Sequence, residues 1–302
     1  MEGMILKMVL EETKFLMKKY NIKANKSLGQ NFLIDDDVID KIVDGAGVEK
    51  DDIVIEIGPG LGSMTKILLE RARKVICIEL DPKMIKILHE RFIAYSNIEI
   101  INEDVLKIDL NKLIEDELLN EKNIRDVKIV ANLPYYITTP IIMKLIESNL
   151  KIESITVMIQ KEVADRLIEI PSGKNTGAIT YTVYYYCDSE NIGIVDNTAF
   201  IPMPEVTSEI IRLKLRKEPK VQVEDEKLFF KIIKCAFMQR RKTLLNSLNN
   251  AGIFKDKKQA EKVLTEIGLT QDIRPENLSI EDYANLSDYI SNNCSYHSQL
   301  LV

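Results

Sequence analysis

The sequence predicts an α/β fold in which a largely parallel sheet is covered by helices on both faces, followed by an all-helical C-terminal region. Two observations predict it. Between about Asp51 and Leu215, short apolar runs alternate with segments of helical periodicity. Continuous apolar runs indicate strands buried on both faces, and their alternation with helices indicates a parallel sheet. Beyond the stretch Arg216–Lys220, which contains Pro219, every periodic segment is helical.

The individual elements follow from the same patterns. The predicted strands are Ile53–Ile57, Val75–Leu80, Ile98–Asn102, Lys128–Ala131, Ile155–Ile159, Thr180–Tyr186 and Ile210–Leu215. The helices predicted among them are Thr65–Ala72, Pro82–Arg91, Leu113–Leu119, Pro140–Ser148 and Lys161–Ile168. Because no obvious helix separates the last two strands, we expect an antiparallel pair at one sheet edge. Further helices are predicted within Met1–Tyr20 and at Glu226–Phe237, Arg241–Asn249, Lys257–Ile267 and Ser279–Asn292.

Length and composition limit the domain organisation and the chemistry. The 302 residues suffice for two domains, which we place at residues 1–216, with an N-terminal helical extension over residues 1–26, and at residues 217–302. No signal peptide or membrane span is predicted. Four scattered cysteines, without a CxxC pair, predict reduced thiols in a cytoplasm and no metal site. The only histidines, His89 and His297, argue against imidazole-based catalysis.

The charge is unevenly distributed along the chain. The formal net charge is −6, yet residues 200–260 contain 14 Lys and Arg against 7 Asp and Glu. The first 30 residues contain 6 basic against 3 acidic side chains. Basic regions of this kind are compatible with a phosphate backbone as partner, although the mixed surface of any soluble enzyme would look similar.

A glycine-rich turn follows the first predicted strand, in Glu56-Ile-Gly58-Pro-Gly60-Leu-Gly62. Glycines let the backbone pass close to a ligand, and in a parallel sheet this turn lies at the carboxyl ends of the strands, where ligands bind. Glu79 ends the second strand, at the position of a carboxylate that accepts from both hydroxyls of a ribose. The pattern therefore favours a nucleoside-containing cofactor over a turn without a ligand.

The charges beside this turn distinguish between two cofactors. The spacing is G-x-G-x-G and not G-x-G-x-x-G, so we expect no third glycine placed for close helix packing. Glu56, just before the turn, would repel a pyrophosphate but attract a cationic sulfonium or ammonium group. Asp104, after the third strand, is placed to accept from an adenine amine. These charges favour S-adenosylmethionine over a nicotinamide dinucleotide.

The fourth strand ends in the tetrapeptide Asn132-Leu133-Pro134-Tyr135. An exocyclic amine of adenine is a poor nucleophile, and two acceptors that grip its N–H bonds would direct its lone pair at a methyl group. The Asn132 side-chain oxygen and a main-chain carbonyl fixed by Pro134 are the predicted acceptors. Tyr135 offers a face for stacking an extruded base. Catalysis would rest on positioning, without a general base.

In these residues the chain resembles the KsgA (RsmA) family of ribosomal RNA adenine dimethyltransferases. The blocks that carry the resemblance are Ser27-Leu-Gly-Gln-Asn-Phe-Leu33, Glu56–Gly62, Glu79-Leu-Asp81, Asn132–Tyr135, Gln160-Lys-Glu162, Phe200-x-Pro-x-Pro-x-Val-x-Ser208 and Phe237-x-Gln-Arg-Arg-Lys242. The resemblance implies a seven-stranded Rossmann-like methyltransferase sheet and a small helical domain that binds rRNA.

The resemblance also implies roles for individual residues. The cofactor-binding residues expected in this way are Gln30, Asn31, Leu33, Glu56, Gly58, Gly60, Glu79, Leu80, Asp104, Val105 and Asn132. Tyr135 and Phe200 are expected to sandwich the target base, beside Asn132, Leu133 and Pro134. We interpret Arg240, Arg241 and Lys242 as an rRNA phosphate site.

The implied product is a pair of adjacent N6,N6-dimethyladenosines in the 3′-terminal hairpin of 16S rRNA, made on a nearly complete 30S subunit. Nothing in the sequence demands more than a monomer. One alternative is a related large-subunit rRNA methyltransferase of the macrolide-resistance type, which shares the tetrapeptide. Pro59 and the Phe237–Lys242 block argue against it. Another is an assembly factor without the reaction, which would be expected to lose the cofactor carboxylates that this chain retains.

Overall fold

The computed structural model describes residues 8–25, 28–173, 175–239 and 241–293. Ser27, Arg240, Cys294 and His297 lie outside these ranges. Within the described residues the chain divides into two compact units, Met1–Ala164 with Ser189–Leu215, and Asp165–Asp188 with Arg216–Val302. The division at residue 215 is close to the boundary placed from sequence. Residues 165–188, which the sequence predicts within the first domain, group with the C-terminal helices instead.

A seven-stranded sheet forms the centre of the first unit, in the order β4-β3-β2-β5-β6-β9-β7. Its strands are β2 (Ile53–Ile57), β3 (Lys74–Glu79), β4 (Ile98–Asn102), β5 (Val127–Asn132), β6 (Ser154–Gln160), β7 (Cys187–Val195) and β9 (Ser208–Leu215). Strands β2 to β6 pair in parallel and β9 is antiparallel to β6. The mostly parallel α/β sheet predicted from sequence is confirmed.

A helix follows each of the strands β2 to β6, as the alternating pattern predicted, and further helices precede β2. They are α1 (Met8–Lys19), α2 (Asp36–Ala46), α3 (Ser63–Arg71), α4 (Pro82–Arg91), α5 (Leu110–Asn120), α6 (Thr138–Glu147) and α7 (Lys161–Ile168). Every residue of β2 is buried, and so is nearly every residue of β5 and β6. These strands are therefore covered on both faces, which explains their continuous apolar sequence. A two-stranded antiparallel sheet joins β1 (Phe32–Leu33) to β8 (Phe200–Ile201).

The register of the parallel strands brings their polar ends together. Ile57 pairs with Ile78, Glu79 with Asn102, and Asn132 with Met158. Since parallel strands all end at the same edge of the sheet, the glycine turn, the Glu79 carboxylate and the tetrapeptide lie along one edge.

The predicted strand Thr180–Tyr186 is wrong, because this segment lies in helix α8 (Ala178–Tyr186). Its tyrosines and threonines have high β propensity, but burial of Tyr181 and Tyr185, one helical turn apart, among the C-terminal helices decides its conformation. The seventh strand is β7, which the sequence did not indicate. Most of β7 is polar and partly or fully exposed, so it lacks the apolar run of a buried strand.

Helix α2 was also missed by the sequence analysis. Its Ile39, Ile42, Val43 and Ala46 are fully buried at helical spacing, and the Asp35 carboxylate caps its first turn by accepting from Val38 N–H at 3.2 Å. The signal was present in the sequence as an N-cap followed by a 3-4 apolar repeat.

The second unit is helical, with α8, α9 (Glu226–Phe237), α10 (Leu244–Asn250), α11 (Lys257–Glu266) and α12 (Ile280–Asn293). Its core includes Tyr181, whose hydroxyl donates to the Leu278 carbonyl at 2.6 Å. In the described part of the chain, no helix is both long and apolar enough to cross a membrane.

Candidate active site

A cleft opens at the carboxyl edge of the sheet, and the space between its walls, including the part open to solvent, is about 890 Å³. It is formed by the ends of β2, β3, β4 and β5, by the segment before β1, and by β8. The lining residues are Leu28, Gly29, Gln30, Asn31, Phe32, Ile57, Gly58, Gly60, Ile78, Glu79, Leu80, Glu103, Asp104, Val105, Asn132, Leu133, Pro134, Tyr135, Tyr136, Ile137, Ile141 and Phe200.

The glycine turn and Glu79 form one hydrogen-bonded unit at the floor of the cleft. Gly58 has a φ of +68°, a left-handed conformation that favours glycine. The Glu79 carboxylate accepts from the backbone N–H of Gly60 at 3.1 Å and of Asp81 at 2.9 Å. Burial raises the pKa of Glu79, and these backbone donors partly offset the rise. These two bonds go to different oxygens, and the carboxylate, with about four lone-pair sites, retains acceptor capacity for ligand hydroxyls.

The third glycine of the turn has a packing role that the sequence analysis did not expect. A Cβ atom on Gly62 would lie 2.6 Å from the Phe92 ring and 3.0 Å from a Leu88 methyl group. Only glycine therefore lets the start of α3 approach the end of α4 this closely. The expectation that G-x-G-x-G lacks a packing glycine is wrong, since the close helix here is α4 and not the helix that follows the turn.

Two of the predicted cofactor-binding residues do not line the cleft. Leu33 is buried in the hydrophobic core beneath it and pairs with Phe200 in the two-stranded sheet. Glu56 is 1% exposed, and its carboxylate accepts from the Thr65 hydroxyl at 2.6 Å. Burial raises the pKa of Glu56 to about 7. Direct attraction of a cationic ligand by Glu56, as expected from its position before the turn, is not what this geometry provides.

The segment before β1 closes one side of the cleft through two amide side chains. Gln30 donates from Nε2 to the Asp81 carboxylate at 3.0 Å and accepts from Asn25 N–H at 3.0 Å. Asn132 donates from Nδ2 to the Asn31 carbonyl at 3.3 Å. Asn132 lines the cleft, and because its amide nitrogen is engaged in this way, its Oδ1 atom remains available as an acceptor.

The tetrapeptide is fixed by backbone hydrogen bonds on both sides of the proline. Leu133 N–H donates to the Met158 carbonyl at 3.2 Å. The Pro134 carbonyl accepts from Ile137 N–H at 3.2 Å and from the Thr138 hydroxyl at 3.0 Å. Across the described residues, no donor reaches the Leu133 carbonyl. This leaves it as a second acceptor at the cleft, next to Asn132.

Aromatic and acidic side chains complete the cleft. The Tyr135 hydroxyl is hydrogen-bonded to the Ser208 hydroxyl at 2.7 Å, and burial raises the pKa of Tyr135. Phe200 is only 3% exposed. One oxygen of Asp104 accepts from Leu106 N–H at 2.9 Å, while Lys107 lies 4.0 Å from the other.

The structure thus brings most of the predicted site into one cleft. The predicted cofactor-binding residues found there are Gln30, Asn31, Gly58, Gly60, Glu79, Leu80, Asp104, Val105 and Asn132, and the predicted catalytic residues found there are Asn132, Leu133, Pro134, Tyr135 and Phe200. Tyr136 and Gly29 also line it, although sequence reasoning gave neither a role. Their adjacency to the tetrapeptide and to Asn31 was the available signal.

The predicted RNA-binding cluster lies in the second unit. Arg241 and Lys242 are exposed just before α10, and Arg240 lies outside the described residues. The helix that they precede begins with a Thr243 cap, whose hydroxyl accepts from Asn246 N–H at 3.4 Å.

The donor set of the cleft fits S-adenosylmethionine. Among the described residues its lining contains three carboxylates, Glu79, Glu103 and Asp104, and no lysine or arginine. A pyrophosphate would be repelled by these carboxylates and would find no cationic side chain, whereas a sulfonium is attracted. The paired lone pairs of Glu79 match two vicinal ribose hydroxyls.

The sheet order and this cleft define a Rossmann-like methyltransferase class. A family model described as ribosomal RNA adenine dimethylase matches residues 21–292. The curated Ribosomal RNA small subunit methyltransferase A of Alkaliphilus oremlandii is 47% identical over 93% of this chain and 96% of that protein. The Bacillus pumilus protein of the same name is 46% identical over 92% and 95%. The chain belongs to the ribosomal RNA adenine dimethylase family.

Solved structures agree with this assignment. A dimethyladenosine transferase from Plasmodium falciparum matches with a TM-score of 0.71 and 27% identity, over 86% of this chain and 98% of that one. The 23S rRNA methyltransferase ErmE matches with a TM-score of 0.63 and 26% identity, over 86% and 100%. The fold class, the KsgA-family resemblance and the enzyme class predicted from sequence are confirmed.

Proposed function

We propose that this protein transfers methyl groups from S-adenosylmethionine to the N6 amines of two adjacent adenines in the 3′-terminal hairpin of 16S rRNA, late in small-subunit assembly in the cytoplasm. The observation that carries the proposal is the pair of acceptors, Asn132 Oδ1 and the Leu133 carbonyl, next to an acidic cleft floor.

The two acceptors explain how the amine would be activated. Gripping both N–H bonds turns the nitrogen lone pair out of conjugation with the ring and toward the cofactor side of the cleft. When bound there, S-adenosylmethionine supplies an electrophilic methyl group. Methyl transfer would leave the amine nitrogen positively charged and still bearing its own protons. One of these protons would then leave to solvent through the open mouth, so no general base is needed. Tyr135 and Phe200 would hold the adenine ring by stacking.

The residues that would hold the cofactor follow from the same geometry. Glu79 would accept from the ribose hydroxyls, and the Asp104 oxygen that is not bonded to Leu106 N–H would accept from the adenine amine of the cofactor. The closely spaced turn at Gly58 and Gly60 leaves room for the amino-acid end of the molecule. The described basic residues Arg241 and Lys242, together with Arg240, would contact rRNA phosphates.

The choice of 16S rRNA rests on the relatives. The curated proteins at 46–47% identity are named for the small subunit, whereas the large-subunit enzyme ErmE is 26% identical. The same reasoning favours a 30S substrate, on which a monomer of this chain would act.

One methylation experiment separates the candidate substrates. The full chain would be incubated with labelled S-adenosylmethionine and, in parallel, unmethylated small subunits, large subunits and naked rRNA, and the labelled nucleotides mapped. Label confined to two adjacent adenines of small-subunit rRNA is expected. The Asn132→Ala variant serves as the control for background label. Modification of large-subunit rRNA alone would overturn the proposal.

A further inference from the structure

Tyr136 differs from its neighbour Tyr135 in how its ring is presented. Both rings line the cleft. Tyr135 is tied down by its hydrogen bond to Ser208, whereas Tyr136 is 56% exposed, and the described residues offer its hydroxyl no hydrogen-bond partner. A large aromatic side chain exposed at the mouth of a cleft is a candidate contact for a ligand that extends beyond the cleft.

The ring of Tyr136 is nonetheless held in place. It lies in a single 3-10 turn, Tyr135–Ile137. Gly29 has a φ of +58°, and a Cβ atom there would lie 3.0 Å from Tyr136 Cδ1 and 3.3 Å from Pro134 Cβ. The glycine therefore allows the ring to pack directly on the backbone before β1. A ring braced by backbone loses little conformational entropy when it binds a second ring.

We propose that Tyr136 is a stacking platform for the base adjacent to the adenine being methylated. The inference rests on the proposed function. An adenine that enters the cleft must leave its stack, which deprives the neighbouring base of a partner. An exposed, braced ring directly beside the Tyr135 site replaces that partner. Tyr136 thereby favours a substrate in which the target adenine has a neighbouring base to stack, whatever that base is.

The experiment compares variants of the full chain on unmethylated small subunits under single-turnover conditions. Tyr136→Phe keeps the stacking face and should methylate within about twofold of the parent chain. Tyr136→Leu removes the face and should raise the subunit concentration for half-maximal rate by about fivefold or more, since stacking on an aromatic contributes about 1–3 kcal/mol per base. Calorimetric affinity for S-adenosylmethionine should stay unchanged, which also reports a folded cleft.

A matched control and a substrate variant sharpen the test. Phe15, on α1, is 62% exposed but does not line the cleft, so Phe15→Leu should have no effect. An RNA hairpin with an abasic nucleotide next to the target adenine lacks the base that Tyr136 would stack. The parent chain should bind this hairpin as weakly as Tyr136→Leu binds the intact hairpin. Tyr136→Leu should bind the abasic hairpin with no further loss of affinity.

The outcomes are distinct for the two proposals. If the parent chain does not methylate small subunits, the proposed function fails. If it does, the proposed function stands, and two results would overturn the role of Tyr136. One is the same subunit concentration for half-maximal rate in Tyr136→Leu and Tyr136→Phe. The other is additive losses of affinity from the abasic nucleotide and from Tyr136→Leu. Loss of cofactor affinity in Tyr136→Leu would likewise overturn that role, because the ring would then support the cofactor side of the cleft.

Discussion

The hydroxyl of Tyr135 lies 2.7 Å from the hydroxyl of Ser208, 73 positions later in the chain. Ser208 is fully buried and pairs with Gln160 at the start of β9. The last serine of the Phe200–Ser208 block therefore anchors the last residue of the tetrapeptide. Two blocks that carry the family resemblance thus meet in one hydrogen bond.

This bond should set the orientation of the Tyr135 ring during catalysis. We expect Ser208→Ala and Tyr135→Phe each to lower kcat by about 2- to 10-fold, the value of one hydrogen bond. The double variant should lose no more than either single one, because both remove the same interaction. Single-turnover rates measure this. Additive losses would show that the two hydroxyls act independently.

Asn132→Ala should remove turnover while leaving RNA binding within about twofold. The side-chain oxygen is the acceptor for the target amine, and the loss of one positioned group of this kind costs about 100-fold or more. Rates on unmethylated subunits and a filter-binding titration measure the two quantities. Methylation within about threefold of the parent chain would contradict the acceptor role.

Glu79→Gln should raise the dissociation constant of S-adenosylmethionine by about tenfold or more, since hydrogen bonds to a charged group contribute about 1.5–3 kcal/mol. Burial raises the pKa of Glu79, so the parent chain should lose affinity as the pH falls through that raised pKa and the carboxylate is protonated. The variant should lack this dependence. Calorimetry measures both, and Glu103→Gln, at an exposed acid of the same cleft, is the control. Unchanged affinity would refute the assignment.

Glu56→Gln should change how stability depends on pH. Burial raises the folded-state pKa of Glu56 from 4.5 to about 7, so the folded state binds the proton more tightly than the unfolded state. The stabilisation is fully present below pH 4.5 and is lost as the pH rises through about 7, in total about 3 kcal/mol. The Gln variant should therefore gain stability relative to the parent chain between pH 5 and pH 8.

Urea unfolding at the two pH values measures this difference. Thr65→Ala provides a second check, because it removes the hydroxyl that donates to the Glu56 carboxylate and lowers its pKa. In the Thr65→Ala variant, the pH at which this stabilisation is lost should therefore lie higher than in the parent chain. An equal stability difference between the Gln variant and the parent chain at both pH values would show that Glu56 is ionised in the fold.

Replacing Arg240, Arg241 and Lys242 together by alanine should weaken subunit binding and flatten its salt dependence. Each lost phosphate contact reduces the slope of log K against log salt by about 0.7–0.9. Replacing Lys255, Lys257 and Lys258 makes the same change in charge and is the control. A salt slope that stays the same would identify the cluster as solvated surface.

The sequence alone established the parallel core and the parts of the site that lie in single segments. Strands of a parallel sheet that are buried on both faces have continuous apolar sequences, so the sequence predicts the bounds of β2 to β6 to within a few residues. The sequence also predicts four parts of the site, because each lies in one short segment directly at or after the end of a predicted strand. They are the glycine turn, Glu79, Asp104 and the tetrapeptide.

Only the tertiary structure decided the features that depend on contacts between distant segments. The conformation of Thr180–Tyr186 follows from burial of two tyrosines against the C-terminal helices, which overrides the β propensity of the segment. Gly62 serves helix packing because α4, and not its own helix, lies against it. Glu56 is withdrawn from the cleft because its carboxylate meets Thr65 in the interior. The local sequence limits the conformation and the chemistry of a residue, whereas the tertiary fold determines which distant residues it contacts.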